Sequence, residues 1–288
     1  MLSAQNFDSA LAANKRGDYT TAIKHLQPLA ERGFPEAQAL LGAMHAHGRG
    51  VPQDPKKAIK WFRKGIAQDN HWAQHNMGYM YSQGFGVPLN YVEAAKWFRK
   101  AADQGHVKAQ HLLGLMYNEG AGVIKDYAEA VRWYRKAADQ GHADAQFNLG
   151  FMYRTGQGVI KDYAEAVKWY RKAADQGYVN AQFNLGTMYE NGDGVLKDDA
   201  EAVKWYRRAA GQGDAEAQDN LGSFYGNGWG VLKDNILAHM WWNIAASKGS
   251  DRSAKNRDII EKRMTAADIS KATNKARRCL RSNYKNCD

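Results

Sequence analysis

Residues 143–178 read ADAQFNLGFMYRTGQGVIKDYAEAVKWYRKAADQGY. In the first third, Ala145, Leu149 and Met152/Tyr153 fall on one helical stripe. Gly156 is placed to end that helix, because glycine adopts the left-handed conformation that a helix C-terminus favours. Gly158 lets the chain turn back tightly. A second helix opens at Asp162, a good N-cap, and Glu165 three positions on gives a capping-box-like pattern. Ala166, Val167, Trp169, Tyr170, Ala173 and Ala174 form a broad apolar face, and Gly177 stops the helix. The stretch therefore predicts two antiparallel helices joined by a glycine turn. Ala145, Gly150, Ala166 and Ala173 are small enough for the two to approach closely, and Trp169 is expected to fill the space toward the next hairpin.

The same word recurs every 36 residues. Glycine pairs stand at Gly48/Gly50, Gly84/Gly86, Gly120/Gly122, Gly156/Gly158, Gly192/Gly194 and Gly228/Gly230. Tryptophans follow at Trp61, Trp97, Trp133, Trp169, Trp205 and Trp241, and leading glycines at Gly42, Gly78, Gly114, Gly150, Gly186 and Gly222. A fixed period of this size means stacked supersecondary units, each touching its neighbours. The expected fold is an all-α solenoid of stacked antiparallel helix hairpins with capping helices at both ends. Residues 34–249 hold six repeats. Residues 1–33 read as an N-terminal capping hairpin, with Leu11, Ala12, Tyr19, Ala22, Ile23 and Leu26 as its apolar pattern and Arg16-Gly17-Asp18 as its link. Residues 250–288 read as basic capping helices and a tail: Ile259, Ile260 and Met264 mark one helix, and Thr265-Ala266-Ala267-Asp268 opens another.

The string Ala145-Gln146-x-Asn148-Leu149-Gly150-x-Met152-Tyr153, then Gly156-x-Gly158-Val159, then Asp162 through Ala174 and Gly177, resembles the Sel-one-like repeat (SLR), a relative of the tetratricopeptide repeat. The hairpin over residues 5–32 resembles a plain tetratricopeptide unit. The resemblance implies a right-handed α/α superhelix and a non-enzymatic adaptor or scaffold role, as in complex assembly, degradation adaptors, or bacterial envelope, motility and host-interaction systems. Some relatives carry a disulfide in each repeat. No repeat of this chain contains a cysteine, so properties tied to that subgroup do not carry over.

An apolar fraction of 44% and a charged fraction of 24% are those of a globular chain. No apolar stretch approaches the length that spans a bilayer. The net charge is +10, and residues 251–288 alone contribute +6, with eleven Lys/Arg against five Asp/Glu. A basic end can bind nucleic acid or anionic lipid. No groove-reading motif accompanies it, so the reading is a solvated cap helix with no nucleic-acid partner. Cys279 and Cys287 are the only cysteines, and their closeness suggests a local disulfide formed in an oxidising compartment. Ser3-Ala4 looks like the small-residue end of a removed leader. The expectation is therefore a periplasmic or secreted protein, with a cytoplasmic one bearing two free thiols as the alternative.

Comparing the repeats with one another locates function. The second helix is nearly constant, while the first varies at the offsets of Asp144, Phe147, Phe151, Arg154 and Thr155. Steps of three and four put these on one face, opposite the packing stripe and, in a solenoid, along the inner wall. The candidate partner-binding residues are Trp72, His75 and Tyr79; His111, Leu115 and Asn118; Phe147, Phe151 and Arg154; and Phe183, Thr187 and Glu190. Rings rimmed by polar groups suit a peptide or protein ligand, since buried aromatics dominate interface energy. A cell-wall glycan stacked on Trp72 and Tyr79, or an enzyme-like small-molecule role, is the alternative. His71, His75 and His111 raise a zinc site, but no cysteine or carboxylate completes it, and adjacent helices stand roughly 9 Å apart. The Gly-x-Gly pairs follow a helix rather than a strand, so they are not phosphate loops. Ser282-Asn283-Tyr284-Lys285 matches a nucleophile pattern by letters alone. No catalytic set and no cofactor are expected.

Overall fold

The computed structural model describes residues 2–285 and Cys287, with side chains from Asn6 onward. Met1 and Asp288, and the side chains of the Ser3-Ala4 pair read as a leader end, lie outside the described residues. Among those residues the secondary structure is sixteen helices and no strand. They form two compact units, Met1–His142 and Ala143–Asp288.

The first unit holds α1 (Leu2–Lys15), α2 (Tyr19–Glu31), α3 (Pro35–His47), α4 (Pro55–Ile66), α5 (His71–Gln83), α6 (Tyr91–Asp103), α7 (Val107–Glu119) and α8 (Tyr127–Asp139). The second holds α9 (Ala143–Thr155), α10 (Tyr163–Asp175), α11 (Val179–Asn191), α12 (Asp199–Ala210), α13 (Ala215–Asn227), α14 (Asn235–Ala246), α15 (Asp251–Glu261) and α16 (Ala266–Arg281). From α1 to α14, odd and even helices pair as hairpins, and within each unit each hairpin packs on the next, the arrangement of an α/α solenoid; α15 and α16 break the pattern, each packing on α14.

The local reading of residues 143–178 is close to what forms. Asp162 is extended and its carboxylate accepts the Glu165 N–H at 3.0 Å. The reciprocal half of the capping box does not form. Glu165 instead meets Lys168 at 2.6 Å, because the Asp162 N–H already donates to the Tyr153 carbonyl at 2.9 Å. A Cβ added at Gly150 would lie 2.8 Å from the Tyr170 ring, so glycine is what admits the ring between the two helices. Gly194 has φ +71°, and a Cβ there would lie 2.3 Å from the Tyr163 carbonyl carbon. The glycine turn is thus pressed onto the start of the preceding hairpin's second helix.

The tryptophans pack in the direction opposite to the expectation. Trp133 of α8 sits with Phe98, Leu113 and Met116, which belong to α6 and α7. Trp205 of α12 sits with Tyr170, Leu185 and Met188 of α10 and α11. Each ring fills the gap toward the hairpin before it, and a cation covers its outer side, as with Arg208 at 4.4 Å from Trp205.

A buried amide seam joins the hairpins. Gln182 of α11 donates to the Ala174 carbonyl at the end of α10, at 3.0 Å. Gln212, beyond the end of α12, donates in turn to Gln182 at 2.8 Å. Gln218 repeats the contact on Ala210 at 3.1 Å, and in the first unit Gln110 repeats it on Ala102 at 3.1 Å with Gln140 behind it at 2.7 Å. Each helix-end carbonyl thus takes a second donor beside the N–H of the glycine that follows, as Ala174 does from Gly177 at 3.0 Å, and the buried glutamine amide is itself satisfied.

Candidate binding surfaces

In the first unit, α5 presents Trp72, His75 and Tyr79. Trp72 is 50% exposed and Tyr79 44%. They do not stack on each other: the ring neighbours of Trp72 are His71 at 5.3 Å and His106 at 4.5 Å. Tyr79 instead lines a cavity of about 240 Å³ with His47, Gln83 and Phe85. His75 stacks on His106 at 4.4 Å, and His71 lies 5.2 Å from the same ring. The imidazole that His75 meets is thus His106, while His111 stacks on His142 at 4.7 Å. His106 caps α7, its Nδ1 accepting the Ala109 N–H at 3.1 Å. Burial, with smaller contributions from neighbouring imidazoles and Lys108, holds His75 down to about 3 and His106 down to about 4, so both rings are neutral at pH 7. Among the described residues, no group of three potential ligands is arranged to hold a metal ion. Leu115 and Asn118 are half-buried on α7.

In the second unit the predicted rings do more packing. Phe147 is half-buried, 5.6 Å from Tyr170 and 5.0 Å from Tyr178, and Phe151 packs on the same core with the Arg154 guanidinium 5.4 Å from its ring. Phe183 lies 5.8 Å from Tyr206. Thr187 and Glu190 meet at the Tyr206 hydroxyl, 3.2 Å from Thr187 and donating to Glu190 at 2.5 Å. Burial, and next the bond to Glu190, raise the Tyr206 phenol well above its ordinary value. Glu190 also borders a cavity of about 380 Å³ walled by Ser223, Trp229, Arg252 and Arg263. Trp229 is 47% exposed and stands edge-on to Phe224 at 5.6 Å. Arg252 is held against buried Asp219 at 3.2 Å.

Trp229 and Phe85 are not among the sequence candidates. Both occupy the middle letter of the Gly-x-Gly turn, which reads Arg49, Phe85, Ala121, Gln157, Asp193 and Trp229 along the chain. That variation was available to the same repeat-by-repeat comparison. Arg252 and Arg263 lie beyond the repeats and had no such signal.

Cys279 and Cys287 are bonded, with Cα atoms 4.4 Å apart, and both sulfurs belong to the core that α13, α14 and the capping helices share.

Tandem helix hairpins of fixed length, with rings left open along their variable helices, define a repeat protein of the α/α solenoid class. The Sel1 repeat model matches residues 35–70, 73–106, 107–142, 143–178, 179–214 and 215–250, and the chain belongs to the Sel1 repeat family. It is similar to the crystal structure of a Sel1 repeat protein from Oxalobacter formigenes, with 35% identity, coverage of 83% of this chain and 96% of that one, and a TM-score of 0.70. A protective antigen of uropathogenic Escherichia coli with an SLR fold is 27% identical over 98% of this chain and 85% of its own, with a TM-score of 0.52. Over 45 residues the chain is 49% identical to mouse DAP3-binding cell death enhancer 1, which is 16% of this chain and only 9% of that protein.

Proposed function

We propose that this protein is a non-enzymatic interaction scaffold whose variable first-helix faces hold an extended peptide or a protein surface. The observation that carries the reading is a half-exposed ring beside a cavity in each unit: Tyr79 on the first-helix face of α5, and Trp229 in the glycine turn that follows α13. Rigid aromatics at the mouth of a pocket are the usual anchors of a protein interface. Family membership supports the same class of role, since Sel1 repeat proteins bind proteins. Phe147, Phe151 and Phe183 contribute mainly by supporting the face, since they lean on Tyr170, Tyr178 and Tyr206.

A photo-crosslinking amino acid placed at Tyr79 or Trp229 should trap a discrete partner, and the same group at solvent-facing Lys168 should not. Equal trapping at all three positions would remove the face assignment. So would undiminished capture by a W72A/Y79A/W229A variant.

We also propose a periplasmic or secreted location, because a buried cystine persists where the surroundings are oxidising. Alkylation of thiols before any reductant is added should label neither cysteine; labelling of both places the protein in a reducing compartment.

A further inference from the structure

Four branched aliphatic side chains stand almost fully in solvent at one offset of the repeat. Ile124, Ile160, Leu196 and Leu232 are 90%, 91%, 90% and 91% exposed. Nothing in the fold explains them, since each projects from the segment that follows a glycine turn and supports no core. Along the six repeats the offset reads Pro52, Pro88, Ile124, Ile160, Leu196 and Leu232, so in the last four it is branched aliphatic, while the letters of the turn itself change freely from Ala121 to Gln157 to Asp193 to Trp229. A lysine follows each of the four aliphatic residues, at Lys125, Lys161, Lys197 and Lys233, where the first two repeats have Gln53 and Leu89.

In the second unit three of these steps are contiguous. The turn bearing Leu196 is seated by Gly194 on Tyr163 at the start of α10, next to Ile160, and the turn bearing Leu232 is seated by Gly230 on Asp199 at the start of α12, next to Leu196. At its end the edge runs into the C-terminal cap, for Lys233, Arg263, Met264 and Asp268 wall one cavity of about 410 Å³. There α16 begins, a helix whose exposed face carries Lys271, Arg277, Arg278 and Arg281, with Asp268 as its only carboxylate.

We propose that this edge and the basic face of α16 seat the second unit on an anionic lipid bilayer, an activity separate from the partner-binding faces. The aliphatic tips enter the acyl boundary, and lysine and arginine stems lie along it with their charges at the headgroups. On the edge itself five carboxylates, Asp162, Asp193, Asp198, Asp199 and Asp234, stand against Lys161, Lys197 and Lys233, so the edge supplies the apolar insertion and α16 the attraction to anionic headgroups. Asp162, Asp198 and Asp234 are turned into their own helices, accepting backbone N–H groups at 3.0, 2.9 and 2.8 Å. Asp199 lies 3.8 Å from Lys197, and Asp193 is the one carboxylate within a turn. Apolar insertion and a polybasic helix are the two signals that together make peripheral attachment stable, and each is weak alone.

Co-sedimentation of the full chain with phosphatidylcholine vesicles, with and without phosphatidylglycerol, tests this. Binding is expected only with the anionic lipid and should weaken as salt is raised. The I160S/L196S/L232S variant should bind about tenfold more weakly, the aliphatic swap I160L/L196I/L232I should bind as the parent does, and K271Q/R277Q/R281Q should lose the salt-sensitive part. All of these positions are exposed, and circular dichroism checks that helicity is kept. The proposal fails if the chain does not sediment with anionic vesicles, if neutral vesicles bind as well, or if the serine variant matches the parent. It also fails if the serine changes abolish a lipid-free dimer instead, because the edge would then be covered by a second copy of the chain.

Discussion

Buried His106 and half-buried His75 form a neutral imidazole pair whose acid behaviour can be signed. Both fold with proton affinities far below the ordinary histidine value near 6.5, His75 at about 3 and His106 at about 4. Below pH 6.5 the unfolded chain takes up protons that the folded one refuses, so stability is lost as the pH falls from about 6.5 toward 4 and is unaffected above that window. Thermal melts of the first unit's transition should shift down between pH 7 and pH 4.5. The H75F/H106N variant, in which asparagine keeps the helix cap, should flatten that dependence. The sequence shows His71 and His75 on one helix face and suggests His111 as their neighbour. It does not show that His106, a loop residue recruited as an N-cap, turns its ring into the stack. Cap geometry decides that contact, and helical periodicity carries no information about it. The same limit applies to Phe147: its offset on the variable face is legible, whereas its contact with Tyr178 depends on where the next helix begins.

At the level of the helices, the hairpin was almost wholly readable, because glycine turns, N-cap residues and small packing residues act locally. What the local signals could not give was direction. Trp205 packs back onto α10 and α11, since the space it fills is fixed by how one hairpin leans on another. The glutamine seam was likewise visible only as a recurring letter. Its energetic role follows from the structure: replacing Gln182 with alanine removes the side-chain bond to the Ala174 carbonyl, which keeps the Gly177 N–H, and removes the acceptor used by Gln212. The expected cost is about 0.5–1.5 kcal/mol, read as a lower urea midpoint with an unchanged slope. An exposed glutamine such as Gln83 changed to alanine should stay within about 0.5 kcal/mol of the parent.

At the scale of the chain, both ends depart from the repeat, as the sequence leads one to expect. Ile260, Ala276 and the cystine of Cys279 and Cys287 close over Met240, Trp241 and Ile244, the apolar side that the last hairpin would otherwise expose. A chain stopped at Gly249 should therefore elute from a sizing column as aggregate while keeping most of its far-ultraviolet helical signal, because solenoid ends need a polar cover. A monodisperse truncated chain would show that the cap is dispensable. The proposed partner-facing side was less legible than the fold. Repeat comparison found Tyr79 and Glu190, but the arginines that wall the cavity beside Trp229 come from the cap, where no second copy of the word exists for comparison.

The amide seam also bears on how such a chain changes length. The carbonyl of Ala174 meets Gln182, and that of Ala210 meets Gln218, by the same bond. Deleting residues 179–214 brings Ala174 to face Gln218 through an interface already used one step earlier. Loss or gain of a whole hairpin is then a silent edit at the joint, and genes of this kind are free to drift in copy number while every surviving junction stays correctly mated.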